Sequence, residues 1–595
     1  MKLKIVFSAL LLVYASLGQS QVANSVLSTG EWYKIGVTEK GVFKIDRSFL
    51  ENMGINVGSI NPKKIAIYGN GGNGMLPQSN AIPRADDLIE NTILVAGQED
   101  EVFDNTDYIL FFGNSPDFIE YDTVEDVFQY ENNLYSDTTF YFLTIKEADG
   151  LRVQNRESTG NDLQKVNNFK DVFIHETDET NLIKGGRMWF GELFSSSQPD
   201  NDFSFNTNNI LADGEIKISV SAMAQAFLNT SFDVSINQFS LGNITIDDVP
   251  NSTYANKGKM QKGDFQVNAS ALNNISSGLT LNLHYNTASA GPSTGFLDFC
   301  VIQAESKLNM TGNSLHFYNT SGFSNATFEV STSTSDIQIW DVSQPSQAIN
   351  QLYSTQSDKA TFGIKEDSKE LIAFSGSDFP KPIFSTKIAN QNLHALSAVD
   401  AVFITHTKFL SQANDLKKHR VKTDGFSIHV VTVDQIYNEF SSGMQDISAI
   451  RDFIKYIYDQ NPDKLKHALL FGDCSYDYKK RSLTHTNYVP VYEARNSLHP
   501  LYDFSSDDYF GFMEDHEGEW IEDESGDHTM EIGVGRLPVK TQQEAADVVS
   551  KIVRYETSIN AFGKWRNELL FIADDGDNNI HQRDANYLAT YVENT

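Results

Sequence analysis

The residue best suited to nucleophilic chemistry is Cys474, which follows the run His467-Ala-Leu-Leu-Phe-Gly-Asp473. A thiolate at a strand end can carry acyl transfer when an imidazole takes its proton. His406, His467, His485 and His499 are the imidazoles of the same region. The plain alternative is a thiol that merely follows Gly-Asp in a loop. No Cys-x-x-Cys, no Gly-His-Gly and no glycine-rich oxyanion turn accompanies it. A second constellation is Ser505-Ser-Asp507-Asp508-Tyr-Phe-Gly511. Paired carboxylates beside aromatics could line a pocket for a cationic side chain, or could form an Asx turn. A third is Asp574-Asp575-Gly-Asp577-Asn-Asn579. Asp575, Asp577 and Asn579 have the alternate spacing of a calcium loop, without the Gly and Glu that complete an EF-hand, and a solvated turn is the alternative. The other cysteine, Cys300, ends the apolar run Phe296-Leu-Asp-Phe and reads as core.

Positioning such groups requires a sheet, and the last third of the chain has the pattern of one. Ala401–Thr405, Phe426–Val433 and His467–Phe471 are apolar runs of strand length. Helical spacing separates them, as in Ile447, Ile450, Phe453, Ile454 and Ile457, with Asp446 placed to cap. Thr541 and Glu544 open a further helix as a capping box. Glu568–Asp574 is predicted as one more strand and Asp584–Val592 as one more helix. Alternation of this kind implies a mostly parallel sheet covered by helices, with functional loops at its carboxyl edge.

Upstream the pattern is β-rich. Glu31–Thr38 and Val42–Asp46 around Glu-Lys-Gly predict a hairpin. From about residue 165, short alternating strands with Asn, Ser and Thr turns predict a β-sandwich or jelly-roll-like unit. Pro380 to Asn392 reads as a linker. The expected organisation is a signal peptide over 1–20, a β-rich domain over 21–160, β-sandwich-like units with a linker over 161–395, and an α/β domain over 396–595.

The chain has 595 residues and a formal net charge of −33. Such a surface repels nucleic acid and would attract divalent cations. The start combines Lys2 and Lys4, an apolar run over Ile5–Tyr14 and a small-residue zone, as a secretory signal does. Two cysteines in different domains make a disulfide improbable and suggest a bacterial exported protein.

Ala401–Thr405, Leu469–Asp473, Ser506–Gly511, Ile532-Gly-Val-Gly-Arg-Leu-Pro538 and Lys551–Glu556 together resemble the gingipain-type cysteine peptidase family. Ser25–Ile35, Gly41–Asp46, Ile67–Asn70, Gly185-Gly-Arg-x-Trp-Phe-Gly-Glu192 and Ile339–Val342 resemble the sortase family of the type IX secretion system, the PorU family of Bacteroidetes. The resemblance covers nearly all of the chain after its signal. It implies a caspase-like α/β peptidase fold at the outer membrane surface or outside the cell. It implies removal of the C-terminal sorting domain of protein cargo and transfer of the cargo to anionic lipopolysaccharide, beside other surface components of the secretion system. No cofactor is required by that chemistry. Catalytic His and Cys are expected beyond Thr595, the 595 residues alone are expected to be inactive, and Cys474 stays the alternative nucleophile. Asp507 falls at the spacing where arginine-specific gingipains place the specificity carboxylate, with Asp508 its neighbour. General extracellular proteolysis and a non-catalytic binding module are the other readings.

Overall fold

The computed structural model describes residues 22–160, 164–323, 325–334, 336–356, 358–364, 369–481, 486–520 and 529–593. The expected signal peptide lies outside them. Among the described residues no helix is long and apolar enough to cross a membrane.

The first β unit is a sandwich of two sheets. Trp32–Val37 and Gly41–Asp46 do not pair with each other as a hairpin. The first strand lies between Ile383–Ile388 and Thr139–Ile145, and the second pairs Tyr108–Gly113 in the facing sheet. The short turn therefore crosses between layers, and Ile35, Phe43, Ile45, Phe111 and Tyr141 fill the space between them. The stretch predicted as a linker supplies an edge strand, Ile383–Ile388. Four of its six residues are exposed, which suits an edge and hides the strand from a pattern search.

The middle of the chain forms two further sandwiches. In the first, Asn168–Glu176, Ser293–Lys307, Glu215–Ala226 and Lys259–Asn268 make one antiparallel sheet. Asp200–Phe205, Leu279–Asn286, Thr230–Ile236 and Phe239–Ile246 make the other. Cys300 is fully buried in this core, and burial pushes its thiol up to about 12. The second sandwich encloses Phe317, Phe328, Ile339, Phe362 and Leu371. Gln154–Arg156 and Gln164–Val166 join it, so the chain enters this unit just before residue 160.

The C-terminal unit is α/β. Its elements are β1 (Ala401–Thr405), α1 (Leu410–Asp424), β2 (Ile428–Thr432), α2 (Val433–Phe440), α3 (Ile447–Gln460), β3 (His467–Phe471), β4 (Gly533–Leu537) and α4 (Gln542–Thr557). The strands are parallel in the order β2-β1-β3-β4. Val402 and Ile404 pack with α2 and α3 on one face. Ala401 and Phe403 pack with α1 and α4 on the other. Burial on both faces is why β1 reads as an unbroken apolar run. Asp446 caps α3 by accepting from Ser448 N at 2.7 Å, and Thr541 caps α4 by accepting from Glu544 N at 3.1 Å.

Glu568–Asp574 does not form the predicted strand. It is extended but unpaired, with Leu570 84% and Ile572 85% exposed. The predicted last helix lies within Gly576–Glu593.

The first β unit is fastened to the α/β unit through α2 and α3. Lys34 Nζ donates to Gly443 O at 2.7 Å. Arg84 Nη1 meets Asp452 Oδ2 at 2.8 Å. Leu76 N donates to Asp446 Oδ2 at 2.8 Å. Asp446 thus serves as cap and as interdomain acceptor while buried. Asp446→Ala removes a cap and leaves a buried N–H unpaired, and is expected to cost about 2–4 kcal/mol in urea unfolding. Asp446→Asn keeps an acceptor oxygen and should cost less than half as much.

Candidate active site

The loops at the carboxyl ends of β3 and β4 hold most of the chemically competent residues. After β3 the backbone is pinned to the neighbouring strand: Gly472 N donates to Leu537 O at 3.0 Å, and Asp473 N to Val539 O at 3.1 Å. Tyr488 N and Val489 N return to Asp473 O at 3.0 and 3.1 Å. Cys474 follows, half-buried. Burial pushes its thiol up to about 11, against the pull of Arg536 and with the help of Asp507, Asp473 and Glu493.

None of the described imidazoles is in hydrogen-bond contact with Cys474. His467 stands at the amino end of β3, stacked on Phe426 at 5.9 Å. His406 follows β1 at the carboxyl edge, where its Nδ1 accepts from Lys408 N at 3.1 Å and its ring meets Tyr488 at 5.2 Å. Burial holds its pKa below the usual histidine value. His499 packs on Tyr502 at 4.4 Å. His485 lies outside the described residues. A thiol so placed is almost wholly protonated at neutral pH. We expect Cys474 to alkylate with iodoacetamide at pH 7.5 at least about tenfold more slowly than a free thiol. Labelling faster than glutathione would show an activated thiolate.

Asp507, expected to receive a cationic side chain from a substrate, is engaged by Arg536 of β4 instead. The guanidinium meets its carboxylate twice, Nε to Oδ2 at 2.8 Å and Nη2 to Oδ1 at 2.7 Å. The remaining donors reach Gly472 O at 2.9 Å, Val489 O at 2.6 Å and Pro490 O at 3.1 Å. One arginine thereby fixes the ends of β3 and β4, the 488–490 segment and the Ser506–Gly511 turn. Asp508 is exposed beside it. Asp575, Asp577 and Asn579 lie on an exposed turn, with residues 577–579 in the left-handed region. Asp577 meets His581 at 3.2 Å. Among the described residues no group of three or more His, Cys, Asp or Glu side chains is placed to hold a metal ion.

Residues 394–595 match the family model described as peptidase family C25. They form a C25 peptidase domain. The gingipain-type cysteine peptidase domain that the resemblance implied is therefore present. Over 93% of this chain the structure is similar to the crystal structure of dimeric latent PorU from Porphyromonas gingivalis, with TM-score 0.78 and 23% identity. The chain spans 52% of that protein. The CBM36-1 domain of a multidomain xylanase from the hindgut metagenome of Trinervitermes trinervoides aligns with 22% of this chain and 96% of its own, at 13% identity and TM-score 0.14. A score that low has no bearing on the fold. No curated protein matches the chain.

The C25 domain receives a loop from the middle sandwich that residue chemistry alone did not place. Gly186 N donates to Glu493 Oε2 at 3.1 Å, Arg187 N to Ala494 O at 3.1 Å, and Met188 N to Ser497 Oγ at 2.8 Å. Gly186 has φ +64°, and a Cβ there would sit 2.3 Å from Ser497 Oγ. Trp189 stacks on Tyr476 at 5.7 Å. Burial pushes the Glu493 carboxyl up to about 7, against hydrogen bonds from Ser505 and Gly186. The Gly185-Gly186 doublet was the available signal: two adjacent glycines mark a backbone that must approach another closely.

Proposed function

We propose that this chain is part of a type IX secretion sortase, a cysteine peptidase that removes the C-terminal sorting domain of exported cargo and joins the new carboxyl end to an amine of anionic lipopolysaccharide. The observation that carries this is the combination of a C25 domain with a β-rich body that follows the PorU fold over 93% of the chain. The reaction exchanges one amide for another. A thiolate attacks the scissile carbonyl, an imidazole passes a proton to the departing amine, and the glycolipid amine resolves the acyl-enzyme. Work at the outer membrane surface accords with the acidic composition and the signal-like first residues. Cargo, the glycolipid and other surface components of the secretion system are the partners in this reading.

The test uses the full-length gene product with a cargo ending in a sorting domain, in the presence of a soluble primary amine. Intact mass should show loss of the sorting domain and gain of the amine. Hydrolysis without amine incorporation would favour a general peptidase, and absence of any cleavage would favour a binding role. Cys474→Ala is expected to leave the rate unchanged within about twofold, because a half-buried, protonated thiol without an imidazole contributes no nucleophile.

A further inference from the structure

A cavity of ≈ 650 Å³ lies where the first β unit, the middle sandwich and the C25 domain meet, with Arg187, Met188 and Trp189 in its wall. Its volume is that of a site for a small molecule or a side chain. Much of its wall is apolar: Met75, Leu76, Leu134, Met188, Met260 and Phe299. Its polar wall contains Glu176 and Asp298, close enough for the charge of Asp298 to bear on Glu176.

These two carboxyls have only neutral hydrogen-bond partners among the described residues. Glu176 Oε1 accepts from Asn132 Nδ2 at 3.2 Å and is hydrogen-bonded by Tyr130. Asp298 is hydrogen-bonded by Ser221. The nearby cations are committed elsewhere. Arg481 is held by Asp178 and lies over Trp189 at 4.5 Å. Arg187 lies over Tyr492 at 5.2 Å, and Arg495 faces Glu519 at 3.6 Å. Burial, first of all, pushes Glu176 up to about 8 and Asp298 up to about 6.

We propose that this cavity binds a basic side chain, lysine or arginine, of a polypeptide. The aliphatic stem lies along the methionine wall, and the cationic head lies between Glu176 and Asp298. A long side chain with a charged tip fits such a divided lining. A bare metal ion does not, since no group of three ligating side chains is present among the described residues. The proposal is independent of the sortase reading.

The test is calorimetric titration of the whole chain with a capped Gly-Gly-Lys-Gly-Gly peptide, with its arginine and norleucine counterparts, and with 1,5-diaminopentane. The lysine and arginine peptides should bind, and the norleucine peptide should bind at least about tenfold more weakly. Glu176→Gln and Asp298→Asn should each weaken the lysine peptide by about tenfold and leave the melting temperature within about 2 °C, because burial already favours a neutral group at both positions. Equal binding of the norleucine peptide, no binding of any peptide, or unchanged affinity in both variants would overturn the proposal. Diaminopentane binding as tightly as the lysine peptide would identify a site for free amines and overturn the polypeptide assignment.

Discussion

Arg536→Met should destabilise the C25 domain by about 3–5 kcal/mol, read as a lower urea midpoint, with the β domains retaining their strand signal. The substitution removes one partner of an ion pair whose side chains are only 10% and 22% exposed. It leaves the Asp507 carboxylate without its cation and strips Gly472 O, Val489 O and Pro490 O of their donors. Loss of one partner costs more than loss of both, because the survivor stays desolvated. Asp507→Asn should therefore cost less, about 1–2 kcal/mol, since an amide oxygen still accepts from the guanidinium. A loss below about 1 kcal/mol for Arg536→Met would mean that water reaches the pair and screens it. The same geometry bears on specificity. A substrate cation at Asp507 would have to displace an arginine that also holds three carbonyls, whereas Asp508 is exposed and carries no such burden.

The parts of the fold legible in the sequence are those whose signal is local burial. β1 and β3 announce themselves because both faces are covered, and α3 because one face is. The edge strand Ile383–Ile388 is hidden because an edge buries little and tolerates polar residues. The Trp32–Asp46 hairpin misleads for a related reason: alternation shows that two strands each have one buried face, but not that they share a sheet. Glu568–Asp574 has the pattern of a strand, yet pairing needs an available neighbour as well as a pattern, and here its side chains stand in solvent. At the site, residue types located the carboxyl edge through Cys474 and Asp507. They did not reveal that Arg536 would fill Asp507, because an arginine inside a strand motif looks like any other surface cation until its neighbours are known. The His467 candidate fails on simple geometry. A strand of five residues spans roughly 13–16 Å at ~3.3 Å per residue, so its first and last positions serve opposite edges of the sheet.

Stability of the junction ahead of the C25 domain should fall as pH rises from about 6.5 toward 10, by roughly 3–4 kcal/mol more than in Glu439→Gln at pH 9.5. The cause is the fully buried pair of His394 and Glu439. His394 Nδ1 meets Glu439 Oε2 at 2.6 Å, and its Nε2 meets Asp86 O at 2.7 Å. Burial alone would lower the imidazole pKa, but hydrogen bonds and charge from Asp86 and Glu439 outweigh it and raise it to about 10. The native state thus keeps a proton that the unfolded chain releases near its ordinary value of about 6.5. Below that value both states are protonated and the full stabilisation is present; above it the unfolded state gains, until the native imidazole itself deprotonates. Glu439 also accepts from Gln391 Nε2 at 2.8 Å and Leu393 N at 2.9 Å, so it holds the segment that leads from the edge strand Ile383–Ile388 into β1. Glu439→Ala should cost about 3–5 kcal/mol at pH 7, because it strands a buried imidazolium together with those donors. Glu439→Gln preserves an acceptor and isolates the charge. Urea midpoints of wild type and Glu439→Gln between pH 6 and 9.5 decide the matter: parallel profiles would mean that His394 is neutral in the native protein, and that the pair is an ordinary hydrogen bond rather than an ion pair.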